Sequence, residues 1–240
     1  MQFSDNPSEA SRPFLTWQNI IDWAQTHYRD RIFRKDEQIP ARPQLLYLVN
    51  QGAVRLIGKV PDDKSYDFQV ESTESPLDSD RAEESFLGFI RSGQPFEIVS
   101  QSSFSLHAYA HVDHTHVIWL YWSDLENWPH FRKEIYEAFR YQHQRKLLWL
   151  SALGQRRTID RLTSFLTLLI EEYGNDHEQN YCLPYTLTHA QIGSAIGSTR
   201  VTVTRLMGKL RRQGVISILE DNSICLINSY STKNKNNPKP

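Results

Sequence analysis

The chain has 240 residues, 39% hydrophobic and 12% aromatic, and a formal net charge of -1. That length holds one large domain or two modest ones, and the near-neutral balance excludes a global attraction to a polyanion, so any such partner must be met by a local patch. No apolar run approaches the roughly 18 residues of a membrane span, and the polar opening MQFSDNPSEASRP lacks a signal-peptide core.

Residues 1–27 read as a polar tail followed by a short amphipathic helix in LTWQNIIDWAQTHY. From 28 to 123 the texture is that of strands. LLYLVNQGAVRLIGKV shows two apolar runs broken by Asn50-Gln51-Gly52, which predicts a hairpin, and PFEIVSQSSFSLHAYAHVDHTHVIWLYW continues with β-branched and aromatic residues. The acidic stretch between them, 61–85, predicts an exposed loop or frayed hairpin.

Residues 124–153 change to helical spacing, with Ser123 as a candidate N-cap and no glycine before Gly154. Leu125, Trp128, Phe131, Ile135, Ala138, Phe139, Gln142, Trp149 and Leu150 recur at steps of three and four. A helix of that length, about 45 Å at 1.5 Å per residue, predicts packing against a second copy of the chain, with Ile135 in the seam. RTIDRLTSFLTLLIEEYG predicts a further helix ending at Gly174, and the polar composition of 231–240 predicts a disordered tail. Cys182 and Cys225 are far apart and match no metal spacing. Buried packing without a disulfide, in a cytoplasmic protein, is the expectation.

The segment 188–227 divides into a short helix, a tight turn and a second helix. Thr188 with Gln191 three residues on forms a capping box. Gly197 stands at the turn, and Ser198 or Thr199 caps the second helix. On a wheel from Arg200, Thr202, Val203, Leu206, Met207 and Leu210 share one arc. Arg200, Val201, Thr204, Arg205, Gly208, Arg211 and Arg212 share the other. Residues 196–214 hold five basic residues and no acidic one. A solvated helix usually mixes signs, so this face fits the major groove of double-stranded DNA. Arg200 and Arg205 can donate twice to guanine. Thr202, Ser198, Thr199 and the helix N-terminus can reach phosphates, as can Arg211 and Arg212 near the helix end, and Thr188 is a further candidate DNA-binding residue. VISIL and SICLIN around Glu220-Asp221-Asn222 add a hairpin, which makes the module a winged helix-turn-helix.

LTHAQIGSAIGSTRVTVTRLMGKLRRQGVI resembles the DNA-binding segment of the CRP/FNR family of bacterial transcription regulators, and IGSTRVTVTRL resembles in particular its nitrogen-control branch. The resemblance covers about 200 residues in architecture, strongly only the last 55. It implies an α+β fold: an N-terminal double-stranded β-helix (a cyclic-nucleotide-binding-like β-roll) over 28–123, a dimerisation helix over 124–153, and a winged helix over 154–230. It implies a homodimer, an inverted-repeat site with GTA-like half-sites, RNA polymerase as a further partner, and no enzymatic activity. Arg200, Thr202 and Arg205 match the family's DNA-contacting positions. Val201 stands where the cyclic-AMP branch has a glutamate, and valine cannot accept from cytosine.

The sensor half departs from the subclasses of that family. Gln94 follows Gly93 where nucleotide binders have glutamate, and no arginine occurs between Ser92 and His130 to hold a phosphate. No cysteine precedes Cys182, which excludes the family's iron–sulfur arrangement. No cofactor is expected, and the effector is unknown or absent. Phe96, Glu97, Arg140, Gln142 and His143 are the candidate pocket residues. A rival reading uses His107, His111, His114 and His116: in a strand His114 and His116 would point the same way and could hold a metal or haem, or serve a cupin-like metalloenzyme.

Overall fold

The computed structural model describes residues 18–59, 84–101, 104–177 and 180–227. The predicted terminal tails and most of the acidic stretch at 61–85 lie outside them. The chain divides into two compact units, 1–143 and 144–240.

The first unit opens with α1 (Gln18–Thr26), then β1 (Asp30–Phe33), β2 (Gln38–Ile39), β3 (Leu45–Gln51) and β4 (Ala53–Lys59). It continues with β5 (Glu84–Arg91), β6 (Pro95–Phe96), β7 (Ser100–Gln101), β8 (Phe104–Ala110) and β9 (Thr115–Tyr121). Two antiparallel sheets result, ordered β1-β9-β3-β6 and β2-β8-β4-β5, with β7 on β8. Phe33, Tyr47, Val49 and Val117 of the first sheet pack against Val54, Leu56, Ile90 and Ala108 of the second. The first sheet's other face carries Leu46, Leu48, Ile118 and Leu120, covered by Ala24 of α1 and by Leu125, Phe131 and Ile135. Burial on both faces explains why LLYLV does not alternate.

The sequence predicts a hairpin at Asn50-Gln51-Gly52, and the structure differs. β3 pairs with β9 and β6, and β4 with β8 and β5, so the chain turns a corner from one sheet to the other. Gly52 has φ +84°, and a Cβ there would stand 2.8 Å from Thr115 Oγ1. Backbone conformation and crowding both require glycine at this corner.

The predicted helix from Ser123 is also shorter than expected. Residues 122–127 form a 3₁₀ turn in which the Asp124 carboxylate accepts from the Tyr121 N–H. The helix proper, α2 (Pro129–Leu153), begins on proline, whose missing N–H costs nothing at a first helical position. Ile135 is fully buried against the first sheet and is no seam residue. The division between the units falls inside α2.

The second unit holds α3 (Thr158–Tyr173), β10 (Asn175–His177), β11 (Asn180–Cys182), α4 (His189–Ile196), α5 (Arg200–Arg212), β12 (Ile216–Ile218) and β13 (Ile224–Ile227). Its strands form one antiparallel sheet, ordered β10-β11-β13-β12. Leu162, Phe165, Leu166 and Ile170 of α3 are buried, as are Ile192, Val203, Met207 and Leu210. The expectation of two unbridged cysteines is corrected: Cys182 and Cys225 stand directly opposite across β11 and β13 and form a disulfide. Their separation of 43 residues in sequence hides an adjacency that only the strand register creates.

Candidate nucleic-acid interface

The two helices α4 and α5 are set by short-range chemistry. The Thr188 hydroxyl accepts from the Gln191 N–H, and the Gln191 side chain accepts from the Thr188 N–H, so the capping box closes in both directions. Gly197 ends α4 in the left-handed conformation, φ +62°, and the Ser198 N–H donates to Gly193 O. A Cβ on Gly193 would meet Ser198 O at 2.6 Å, so the turn lies backbone against backbone there. Of the two residues expected to cap the second helix, it is Thr199: its Oγ1 accepts from the Thr202 N–H.

α5 buries Val203, Met207 and Leu210, while Arg200, Val201, Thr204, Arg205, Lys209, Arg211 and Arg212 are exposed. Val201 is 78% exposed, so an apolar side chain stands free beside Arg200 and Arg205. Among the described residues, none of these arginines makes an ion pair within the chain. Thr202 is half-buried. Its hydroxyl accepts from Thr199 Oγ1 at 3.0 Å. Thr204 differs. Its hydroxyl donates to Arg200 O at 2.9 Å and meets His189 Nδ1 at 2.8 Å. His189 carries no signal in the sequence, because a contact between two helices has no spacing signature.

The wing is the hairpin of β12 and β13, with Asn222 in the left-handed region at φ +65°. The Ser223 N–H and then its hydroxyl bind the Asp221 carboxyl and hold it below the usual carboxylate range.

The residues expected to line an effector pocket divide into engaged and exposed ones. Phe96 is buried and stacks on Tyr47 at 5.2 Å. Glu97 accepts from Trp122 Nε1 at 2.5 Å, and Gln142 donates to Pro95 O at 2.9 Å. Arg140 and His143 are exposed on α2.

The histidine reading is corrected by the backbone. His114 has φ +57° in the turn before β9, so it does not share a strand face with His116. His116 is taken up by Asp30 at 2.9 Å and Asn50 at 2.9 Å. His107 lies between Gln38 and Ser105, and burial, then Lys59, holds its imidazole below its ordinary range. His111 packs on the Phe89 ring at 4.7 Å. Among the described residues no group of three or more His, Cys, Asp or Glu side chains could hold a metal ion.

α2 carries a second pattern, which shares only Leu150 with the stripe expected to form the seam. Tyr136, Arg140, His143, Leu147 and Leu150 follow one another at steps of four, three, four and three, the spacing of a coiled-coil seam. Tyr136, Leu147 and Leu150 are 60%, 52% and 63% exposed, which marks this face as outward. The stripe through Phe131 and Ile135 has the same periodicity but is buried against the first sheet, so periodicity alone does not tell an inward face of α2 from an outward one.

Comparison with known proteins follows the same division. Residues 160–229 match the Crp-like helix-turn-helix domain. The chain is 42% identical over 71 residues to the global nitrogen regulator of a Nostoc species, a match of 30% of this chain and 32% of that protein, so the chain spans about a third of that relative's length. A CRP-family transcriptional regulator from Thermus thermophilus has a similar structure, with a TM-score of 0.60 at 18% identity over 85% of this chain and 95% of that one. So has a cyclic-nucleotide-binding-domain protein from Listeria monocytogenes, with a TM-score of 0.66 at 11% identity over 88% and 97%. At those identities the structures show the fold. No described helix is long and apolar enough to cross a membrane. Residues 160–229 thus match a Crp-like helix-turn-helix domain, and the chain's α+β fold is similar to that of a CRP-family regulator.

Proposed function

We propose that this chain is a sequence-specific transcription regulator that binds double-stranded DNA as a homodimer and performs no catalysis. The observation that carries the reading is α5: an exposed face of arginines with no acidic partner, on a helix whose N-terminus is capped and set by a tight turn. Such a helix presents its first residues to base edges in the major groove. Arg200 and Arg205 supply donors for guanine, while Val201 offers only apolar contact, which favours GTA-like half-sites. Ser198, Thr199, Thr202, Arg211 and Arg212, with the α4 terminus at Thr188, supply phosphate contacts. The seam through Tyr136, Leu147 and Leu150 supports a two-fold dimer, which reads an inverted repeat with half-sites about 34 Å apart. The onward partner is RNA polymerase, and the compartment is the cytoplasm.

Phe96, Glu97 and Gln142 are already engaged inside the chain, which supports DNA binding without an added effector. Thermal-shift measurements against cyclic nucleotides and 2-oxoglutarate test this, and a clear shift with either contradicts it.

Binding to a randomised duplex pool at two salt concentrations tests the main reading. Arg205→Ala is expected to cost roughly 1–3 kcal/mol and to relax one base position. Arg212→Ala is expected to weaken all sequences alike and to lower the salt slope by about one. Selection of no inverted repeat, or equal effects of the two substitutions on specificity, would reduce the arginine face to a polyanion patch.

A further inference from the structure

The turn that orients α5 is held from below by one side chain on α3. Arg161 is half-buried, and its guanidinium points at the end of α4. Nε donates to Ile196 O at 3.0 Å. Nη1 donates to Gln155 O at 3.2 Å and Arg156 O at 3.4 Å. Nη2 donates to Thr158 Oγ1 at 3.3 Å and Gly197 O at 3.5 Å. A guanidinium has five N–H donors in one plane, and each has an acceptor here. Four of the five acceptors are backbone carbonyls, drawn from two segments some forty residues apart in sequence.

The two segments have distinct roles. Gln155 and Arg156 belong to the link between α2 and α3. Ile196 and Gly197 close α4, where carbonyls have no partner inside the helix and a cation is favoured by the helix dipole. Two residues after Gly197 comes Thr199, the cap of α5. Gly193 packs against the same turn with no room for a side chain. The position of the α5 N-terminus relative to the link is therefore carried by Arg161 on one side and by bare backbone on the other.

We infer that Arg161 is a positioning residue: it locks the helix-turn-helix turn to the link before α3 and so sets where the first residues of α5 stand against DNA. The inference rests on the DNA-reading role proposed above for α5. Each Arg161 contact above is made within the chain. The residue acts through Gly197 and Thr199 on Arg200, Val201 and Arg205. A link that shifts its carbonyls at Gln155 and Arg156 must either carry the turn with it or break this fork, which makes Arg161 the route by which motion in the link would reach the reading surface.

Arg161→Lys keeps the charge and loses the planar fork, so it tests geometry apart from electrostatics. Affinity for the duplex selected by the wild type is expected to fall about tenfold or more, while affinity for a random duplex changes by less than about twofold. Amide exchange is expected to quicken at 198–203 while 162–170 in α3 keep their protection. Unchanged affinity for the selected duplex, equal loss of protection in α3 and α5, or failure of the variant to fold would each overturn the inference, the last two by making Arg161 a general support of the fold. If the wild type selects no duplex, the DNA-reading proposal falls, and the exchange comparison still decides whether Arg161 holds the turn.

Discussion

In the second unit the residues that determine structure lie a few positions apart: Thr188 with Gln191, Gly193 with Ser198, Thr199 with Thr202. In the first unit they lie far apart. β3 is completed by β9, some seventy residues away, and β4, its neighbour in sequence, belongs to the other sheet. One unit is built from local caps and turns that position a surface. The other is built from long-range pairing that encloses a core. Substitutions chosen on either side should behave accordingly.

The largest expected effect separates the two faces of α2. Ile135 is fully buried, whereas Leu150 is 63% exposed. Ile135→Asp places an unpaired charge in the core of the first unit and is expected to cost at least about 3 kcal/mol. Leu150→Asp is expected to leave the monomer within about 0.5 kcal/mol of wild type and to shift sedimentation toward monomer. Denaturant unfolding with sedimentation reads both. A stable Ile135→Asp protein that fails only to dimerise would return that residue to the seam.

Next is the bond that ties distant residues within the otherwise local unit. The Cys182–Cys225 disulfide closes a loop that contains both α4 and α5. Closure of a loop of that length stabilises by about 2–4 kcal/mol through the unfolded chain. Thermal unfolding with and without reductant should show that loss in the second unit and none in the first. A Cys182→Ser, Cys225→Ser protein should match the reduced form and no longer respond to reductant.

Two glycines sharpen the comparison, since both have positive φ in different surroundings. At Gly52, φ +84°, an added Cβ would meet Thr115 Oγ1 at 2.8 Å, while at Gly197, φ +62°, it would meet nothing within 4 Å. Gly197→Ala carries only the backbone cost, about 1 kcal/mol. Gly52→Ala adds a steric clash and is expected to cost about 2–3 kcal/mol. Equal losses in denaturant unfolding would mean that the corner between the sheets can relax as freely as the exposed turn.

The same contrast decides what is legible in the sequence. The capping box, the left-handed glycine and the two arcs of α5 are legible because each is a spacing of three or four residues. The wing is legible from a turn between two short apolar runs. Asn50-Gln51-Gly52 looks like a hairpin because a corner and a hairpin use the same turn residues, and only the partner strands tell them apart. Ile135 is misassigned by periodicity because two stripes of one period run along α2, one buried and one exposed, and burial alone separates them. The disulfide and the Arg161 fork depend on register and tertiary approach, to which no spacing in sequence corresponds.

The smallest expected effect tests the local side at its clearest point. Thr188→Ala removes an acceptor for the Gln191 N–H and leaves the Gln191 side chain still bonded to the residue 188 N–H. One half of a reciprocal pair is lost, so the cost is expected near 1 kcal/mol, toward the lower part of the usual range for a lost cap. Thr188→Asp keeps an acceptor and places a negative charge at the positive end of α4, so it is expected to hold stability within about 0.5 kcal/mol of wild type. The same charge would repel a phosphate. If Thr188 lies against the DNA backbone, Thr188→Asp should weaken binding to every duplex while Thr188→Ala does so only through its loss of stability. Unfolding and duplex binding measured side by side on the two variants separate a cap that only holds the helix from one that also faces the phosphates, and equal binding by both would confine Thr188 to the first role.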